Sequence, residues 1–434
     1  MWNVFRFALT IGAAALIAGC GGSPSPIGAP GAPPLGSAPA ARANNSNYKV
    51  LYNFGGLPDG RGPRGVINVG GTLYGTTAAG GSNDYCDAYL GCGTVFRVTL
   101  GGIEKVLYSF GKSPDGSDPN AGLIDVGGRL YGTTQTGGLH LGAHCTATGS
   151  GSYGCGTVFS ITRSGIEKVV YSFGKDGTDG FTPAASLIDV NGTLYGTTQF
   201  GGAHYDRCGG GCGTVFSITP DGTEKILHSF NGTDGADPVA PLIEVNGKLY
   251  GTTQYGGNGA YSVGTVFSIT LSGKEKVLHS FGNGTDGGIP VAGLIDVHGT
   301  LYGTTEVGGS LLSGHFCNHT DSCGTVFSIT PGGTEKVLHT FSGYPDGAGP
   351  VAPLIDVKGT LYGTTVYGGA YSCSSAGGCG TIFSITPSGT EKVVHTFGTD
   401  GRLPSTALID VNGTLYGTAG GGTYSYGTVF AFRP

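Results

Sequence analysis

Between Tyr48 and Phe432 the chain alternates short apolar runs, rich in β-branched and aromatic residues, with breaks of Gly, Asn, Asp and Ser. One stretch shows the unit clearly: Val239 to Val245, Lys248 to Thr253, Gly264 to Thr270 and Glu275 to Phe281 each have the length and residue types of an ordinary strand. Asn246-Gly247 separates the first two, and Asn191-Gly192, His298-Gly299, Lys358-Gly359 and Asn412-Gly413 stand at the same place elsewhere. Gly there supplies the positive φ that a two-residue hairpin needs. Leu271-Ser272-Gly273 separates the third and fourth runs. The unit is therefore four antiparallel strands, A to D, and almost no helix is expected.

The unit recurs seven times. Leu-Tyr-Gly-Thr marks strand B at Tyr74, Tyr131, Tyr195, Tyr250, Tyr302, Tyr362 and Tyr416, and Gly-Thr-Val/Ile-Phe marks strand C, ending at Phe96, Phe159, Phe216, Phe267, Phe327, Phe383 and Phe430. Periods of this length with four strands each point to propeller blades, whereas the coils of a β-solenoid are shorter and poorer in hairpins. The phase of the repeat fixes the closure. The folded part opens on Tyr48 to Phe54, which matches strand D, and ends on Gly427 to Phe432, which matches strand C. Pairing the first D with the last A, B and C completes a seventh blade and leaves only short outer edges. The sequence thus predicts an all-β fold, a seven-bladed β-propeller of four-stranded antiparallel blades over residues 48–434, closed by its N-terminal strand.

The tandem pattern, as in Leu187-Ile188-Asp189-Val190-Asn191-Gly192-Thr193-Leu194-Tyr195-Gly196-Thr197-Thr198 followed by Gly213-Thr214-Val215-Phe216-Ser217-Ile218-Thr219, resembles the GloVer tandem-repeat family of exported bacterial proteins. The resemblance covers Tyr48 to Phe432. It implies a secreted or anchored repeat protein, and no activity defines the family.

The start of the chain reads as an export signal. Arg6 precedes an apolar run from Phe7 to Ala18, too short to span a bilayer as a helix, and Ile17-Ala18-Gly19-Cys20 resembles the bacterial lipobox. Residues 1–19 are expected to be removed and Cys20 to carry the lipid, anchoring the chain to a membrane. Gly21 after that Cys suggests sorting to the outer membrane. Residues 20–47, the lipidated Cys and a Gly/Pro/Ser/Ala-rich stretch, are expected to form a flexible tether.

Composition narrows the function. The formal charge of -6, with charged residues at only 12% and no Lys/Arg cluster, lacks the electrostatic footprint of nucleic-acid binding. No phosphate loop, nucleophile elbow or zinc-protease motif is present, and no cofactor is expected.

Ten of the 11 cysteines fall in five close pairs, Cys86/Cys92, Cys145/Cys155, Cys208/Cys212, Cys317/Cys323 and Cys373/Cys379, each between strands B and C. Both-or-neither in each loop of an exported chain is the mark of disulfides, and no His accompanies them regularly enough for zinc. Strand alternation puts the B–C and D–A connections on one face of the disc. The B–C loops there run from 7 residues (Gly420 to Tyr426) to 21 (Gln135 to Cys155), and carry Tyr85, Tyr89, Tyr153, Tyr205, Tyr261, Phe316 and Tyr371. Variable, braced, aromatic loops on a rigid frame are where recognition is usually built; unconstrained drift is the bland alternative.

Three further positions recur, each favouring structure over chemistry. Asp-Gly stands in every D–A loop (Asp59, Asp115, Asp179, Asp234, Asp286, Asp346, Asp400) and reads as a turn rather than a calcium loop. Asp125, Asp189, Glu244, Asp296, Asp356 and Asp410, with Asn68 in the first blade, repeat in strand A and read as acceptors for the A–B turn, with a cation-attracting ring as the alternative. Strand D places Tyr52, Tyr108, Tyr171, His228, His279, His339 and His395 at one position, an interchange that speaks for packing. No metal site is expected, and the His140/His144 and His315/His319 pairs sit in Gly-rich loops.

The expectation is a binding or scaffolding module of the cell envelope, taking a glycan or protein on the B–C loop face. A polysaccharide lyase or hydrolase is the runner-up and would need carboxylates confined to single blades, such as Asp84, Asp87, Asp206, Glu306 and Asp321, to converge in one pocket. A passive structural component of the cell surface is the third reading.

Overall fold

A computed structural model describes residues 47–83, 86, 90–111, 113–140, 145, 154–283, 285–309, 323–371, 373 and 378–434. Lys248–Thr253 forms the second strand of its blade as expected, hydrogen-bonded to Ile243–Val245 on one side and Thr265–Thr270 on the other, with Glu275–Ser280 outermost. Six further sheets repeat that order, and among the described residues there are seven four-stranded antiparallel blades and no α-helix. Blades are numbered 1 to 7 from the sheet that opens with Gly60–Val69 to the one that opens with Ile409–Val411. Strands A of consecutive blades touch, so A is innermost.

The closure is the one that the repeat phase requires. Tyr48–Asn53 runs antiparallel to Thr428–Phe432 and supplies strand D of blade 7. Its register sets Tyr48 opposite Phe432, Val50 opposite Phe430 and Asn53 opposite Thr428, and the Arg433 amide donates to the Asn47 carbonyl at 2.8 Å.

Two motifs explain each other. The Gly of Leu-Tyr-Gly-Thr lies directly across from the Phe of Gly-Thr-Val-Phe, as Gly196 does from Phe216, and a Cβ on Gly196 would stand 2.7 Å from the Phe216 ring. Glycine is required there because the aromatic ring lies over its backbone. The same ring then meets the Phe that ends strand D of the preceding blade. Edge-to-face pairs Phe54–Phe96, Phe110–Phe159, Phe173–Phe216, Phe230–Phe267, Phe281–Phe327, Phe341–Phe383 and Phe397–Phe430 recur at all seven junctions with centroids 4.9 to 5.3 Å apart. All but one of these phenylalanines are at most 1% exposed, Phe341 being 2%. Each buried ring contributes about 1.5–3 kcal/mol, and an edge-to-face pair about 0.5–1.5 kcal/mol beyond that. The core is thus a set of seven clusters between blades rather than one centre.

In blades 2 to 7 strand A is shorter than its sequence implies. The run Val239 to Val245 gives a regular ladder only over Ile243–Val245. Pro238 and Pro241 offer no N–H to the ladder, and in most blades a lead-in carbonyl is instead engaged by the preceding blade. Thr76, Thr133, Thr252 and Thr304 of strand B donate to the carbonyls of Ala121, Ala185, Ala292 and Pro350 at 2.7, 3.1, 3.2 and 3.2 Å. A second threonine pair lies within each of six blades, the Oγ atoms of Thr77–Thr94, Thr134–Thr157, Thr198–Thr214, Thr253–Thr265, Thr305–Thr325 and Thr365–Thr381 lying 2.7 to 2.8 Å apart. Blade 7 has Ala419 in this place, and the buried Thr428 hydroxyl has no partner.

Candidate functional site

Cysteine positions build the face that carries the B–C loops. Disulfides join Cys86–Cys92, Cys145–Cys155, Cys208–Cys212 and Cys373–Cys379. Cys323 is also disulfide-bonded, while Cys317 lies outside the described residues. Such bonds belong to an oxidising compartment, extracellular or in the cell envelope. The second Cys of each pair is at most 3% exposed, and its carbonyl accepts an amide of the next blade: Asp118 to Cys92, Thr182 to Cys155, Asp237 to Cys212, Gly349 to Cys323 and Leu403 to Cys379, at 2.8 to 3.0 Å. Val263 and Tyr426 take this place in blades 4 and 7, accepting from Ile289 and Gly62 at 2.7 and 2.8 Å. A loop-return carbonyl that accepts an amide of the next blade is therefore common to all blades, and in five of them a disulfide-bonded Cys supplies it.

Among the described residues, the exposed large apolar side chains on that face are five tyrosines and three leucines, Leu57, Leu90 and Leu139. Tyr255, Tyr261, Tyr344, Tyr371 and Tyr424 are 39% to 78% exposed, and all five lie on B–C or D–A connections. The opposite face has uniform C–D turns, where Ile103 and Ile166 are exposed instead. Tyr205 lines a shallow cleft of about 240 Å³ between blades 2 and 3, with the Cys145–Cys155 bridge, Lys175, Asp176, Asp179 and Phe181. Tyr261 and Tyr371 stand on blades 4 and 6, apart from that cleft. Tyr85, Tyr89, Tyr153 and Phe316 lie outside the described residues.

In six of the seven D–A loops the Asp does more than make a turn. Asp59 accepts the Gly55 and Gly60 amides, each at 2.7 Å, and also the Tyr52 hydroxyl at 2.8 Å. Tyr108–Asp115 and Tyr171–Asp179 repeat the pair at 2.9 and 3.0 Å, and His228–Asp234, His279–Asp286 and His339–Asp346 repeat it with imidazole Nε2 at 3.1, 3.0 and 3.2 Å. The next blade contributes the glutamate that begins its strand D. Burial first, and then the neighbouring Asp, pushes Glu104, Glu167, Glu224 and Glu335 up to about 7. Glu275 and Glu391 reach the same value, although a neighbouring His opposes the rise. One oxygen of each of these six glutamates is buried without a hydrogen-bond partner. The sequence showed the Asp-Gly position and the Tyr/His position separately; that they meet, with a third group from the following blade, is visible only once the blades are curled into a ring.

The strand A acceptors serve their own turns. Asn68, Asp189, Glu244, Asp356 and Asp410 accept the amide of the turn glycine at 2.5 to 3.1 Å. Asp125 is held by Arg163 at 2.8 Å.

Of the carboxylates that a hydrolase or lyase would need, Asp84, Asp87 and Asp321 lie outside the described residues. Asp206 is exposed on the blade 3 loop. Glu306 is partly buried, and burial alone raises its carboxyl; no second carboxylate acts on it. Burial first raises the hydroxyls of Tyr255 and Tyr367, and Glu306 adds to both, after Asp237 in the case of Tyr255, which places Glu306 between blades 4 and 6.

Residues 144–317 and 309–434 match the family described as Gloeobacter/Verrucomicrobia repeat. No curated protein matches the chain. Among solved structures, it is similar to the tricorn protease (10% identity, TM-score 0.37, 82% of this chain and 27% of that one) and to TolB from Acinetobacter baumannii (13%, 0.36, 68% and 58%). It is also similar to PorZ, a surface component of the type-IX secretion system of Porphyromonas gingivalis (13%, 0.48, 85% and 46%). The chain spans between 27% and 58% of the length of these three structures. Likeness at this level says nothing of what this chain does.

Proposed function

Because the chain belongs to the Gloeobacter/Verrucomicrobia repeat family, we propose that it is an envelope lipoprotein, anchored through Cys20, whose propeller is a binding module taking a glycan or a protein on its B–C loop face. The observation that carries the reading is the segregation of the exposed tyrosines: all five lie on one face, on loops of unequal length. Tyr offers a flat apolar ring with a polar tip at little entropic cost, which suits both sugar faces and protein surfaces. Backbone bonds beneath the loop returns of blades 4 and 7, and the Cys373–Cys379 bridge beside Tyr371, keep rings of this face on a stiff frame. Residues 20–47 would act as the tether and no nucleic acid is involved. The hydrolase or lyase reading has less support, since Glu306 has no carboxylate partner among the described residues.

Glycan arrays and envelope pull-downs with the chain and with its Y261S/Y371S/Y424S variant test the proposal. Binding that falls about tenfold or more in the variant supports it, and the assay that responds tells glycan from protein. Binding unchanged in the variant, or absent from both assays, refutes it. Radiolabelled palmitate incorporation that vanishes in Cys20→Ser tests the anchor.

A further inference from the structure

Three neighbouring blade junctions differ from the rest. At the junctions of blades 3/4, 4/5 and 5/6, strand D offers an imidazole, the following loop an Asp and the next blade a Glu: His228/Asp234/Glu275, His279/Asp286/Glu335 and His339/Asp346/Glu391. In the first and third sets the three ligand atoms all lie within 4.8 Å of one another, and the second is looser. We propose that the 3/4 and 5/6 junctions bind divalent transition-metal ions of the Zn²⁺ class, each ion clamping two adjacent blades through one imidazole nitrogen and two carboxylate oxygens.

The donor chemistry suits this. Imidazole with carboxylates is a zinc-type set, and ligands about 2.0–2.1 Å from an ion stand no more than about 4.2 Å apart, so the first and third sets need only a small inward shift. The aspartates are already held in place. Asp234 accepts from the Asn231 amide and side chain at 2.8 and 2.7 Å, and Asp346 from Gly347 and Ser342 at 2.8 and 3.0 Å, which is how outer-shell donors orient ligands. One oxygen of Glu275 and of Glu391 is buried with no donor, and a cation would satisfy it. That orphan oxygen occurs at the tyrosine junctions too, but a neutral phenol there supplies no third ligand. In the first and third sets all three residues are partly exposed, so an ion can reach them.

The chain carries its own control. Tyr52, Tyr108 and Tyr171 fill the His position at three of the four other junctions and make the same bond to Asp at 2.8 to 3.0 Å. H228Y/H279Y/H339Y therefore converts three junctions into a form the fold already uses. The full chain, stripped with EDTA and with disulfides intact, is titrated with ZnCl₂ at pH 7.5 by calorimetry and thermal melting. The wild type is expected to bind at least two ions and to melt several degrees higher with zinc. The tyrosine variant should melt like the wild type in EDTA and lose at least about tenfold in affinity. A variant that responds to zinc as the wild type does overturns the proposal and assigns the binding to loop histidines such as His140 and His204; so does a wild type that does not bind. Should the variant not fold, E275Q/E391Q and the X-ray absorption spectrum of the wild-type zinc adduct decide. One imidazole with oxygen ligands supports the site, and sulfur or several imidazoles refutes it.

Discussion

Tyr48 lies flat against His395, ring centroids 4.1 Å apart and planes 9° from parallel. At every other junction the residue that opens strand D is a glutamate facing the loop Asp of the preceding blade; at this one Tyr48 takes its place. Tyr48 also touches Phe397 and Phe430 at 5.7 and 5.5 Å. Burial lowers the pKa of His395 to about 4, although Asp400 opposes the shift. The junction where the two ends of the chain meet, without a C–D turn to join them, thus exchanges a carboxyl for aromatic packing.

The Gly–Phe relation across strands B and C predicts a steric cost. Gly196→Ala places a Cβ 2.7 Å from the Phe216 ring and should destabilise the fold by about 1–3 kcal/mol. Phe216→Leu costs stability alone but should recover part of the loss in the double variant, a coupling that urea denaturation of the four proteins measures.

Blade 7 lacks one member of the threonine pair. Ala419→Thr gives the buried Thr428 hydroxyl its partner and should stabilise the chain by about 1 kcal/mol. A lower denaturation midpoint in the variant would show that the extra atoms do not fit beside Gly401 and Tyr48.

Six glutamates with carboxyls raised to about 7 make stability depend on pH. The folded state keeps protons that the unfolded chain, with Glu near 4.5, has released, so the contribution is complete below pH 4.5 and is lost as pH rises to about 7. His395, with its lowered value, acts in the opposite sense between about 6.5 and 4, as one group against six. In EDTA the melting temperature should fall between pH 5 and pH 7.5, and E104Q/E167Q/E224Q should roughly halve the slope. A melting temperature that climbs across this range contradicts the assignment.

Reduction should loosen loops without opening the ring. Each bridge contributes about 2 kcal/mol in the chain-entropy model, confined mainly to its own loop, while the amides of Asp118, Thr182, Asp237 and Leu403 bond to cysteine carbonyls that survive reduction. Under a thiol reductant, hydrogen exchange should quicken in the B–C loops while those four amides stay protected and unfolding stays cooperative. Loss of cooperativity would mean that the bridges hold the blades themselves.

Much of the fold was legible because each blade is a local affair. Landmarks such as Leu194-Tyr195-Gly196-Thr197 mark strands by composition, Asn191-Gly192 marks a turn with φ of 53° and 83°, and the order of strands follows from the phase alone. What joins blades was not legible. Glu275 and His228 are 47 positions apart, and their approach depends on ring curvature and strand twist, which no local pattern records. Strand A was overread for a similar reason, since its lead-in carbonyls turn to the preceding blade. Of the loop aromatics, Tyr205, Tyr261 and Tyr371 are among the described residues, and Tyr205 lines the cleft between blades 2 and 3.

Closure of the ring by the N-terminal strand is tested most directly with Lys49→Cys and Ala431→Cys in one chain. These positions face each other across the last strand pair, within the separation a disulfide spans. Mild oxidation and peptide mass spectrometry should find positions 49 and 431 linked within a single chain, with the native disulfides unchanged. Free thiols at both positions, or a bond only between chains, would show that the first strand does not complete the last blade.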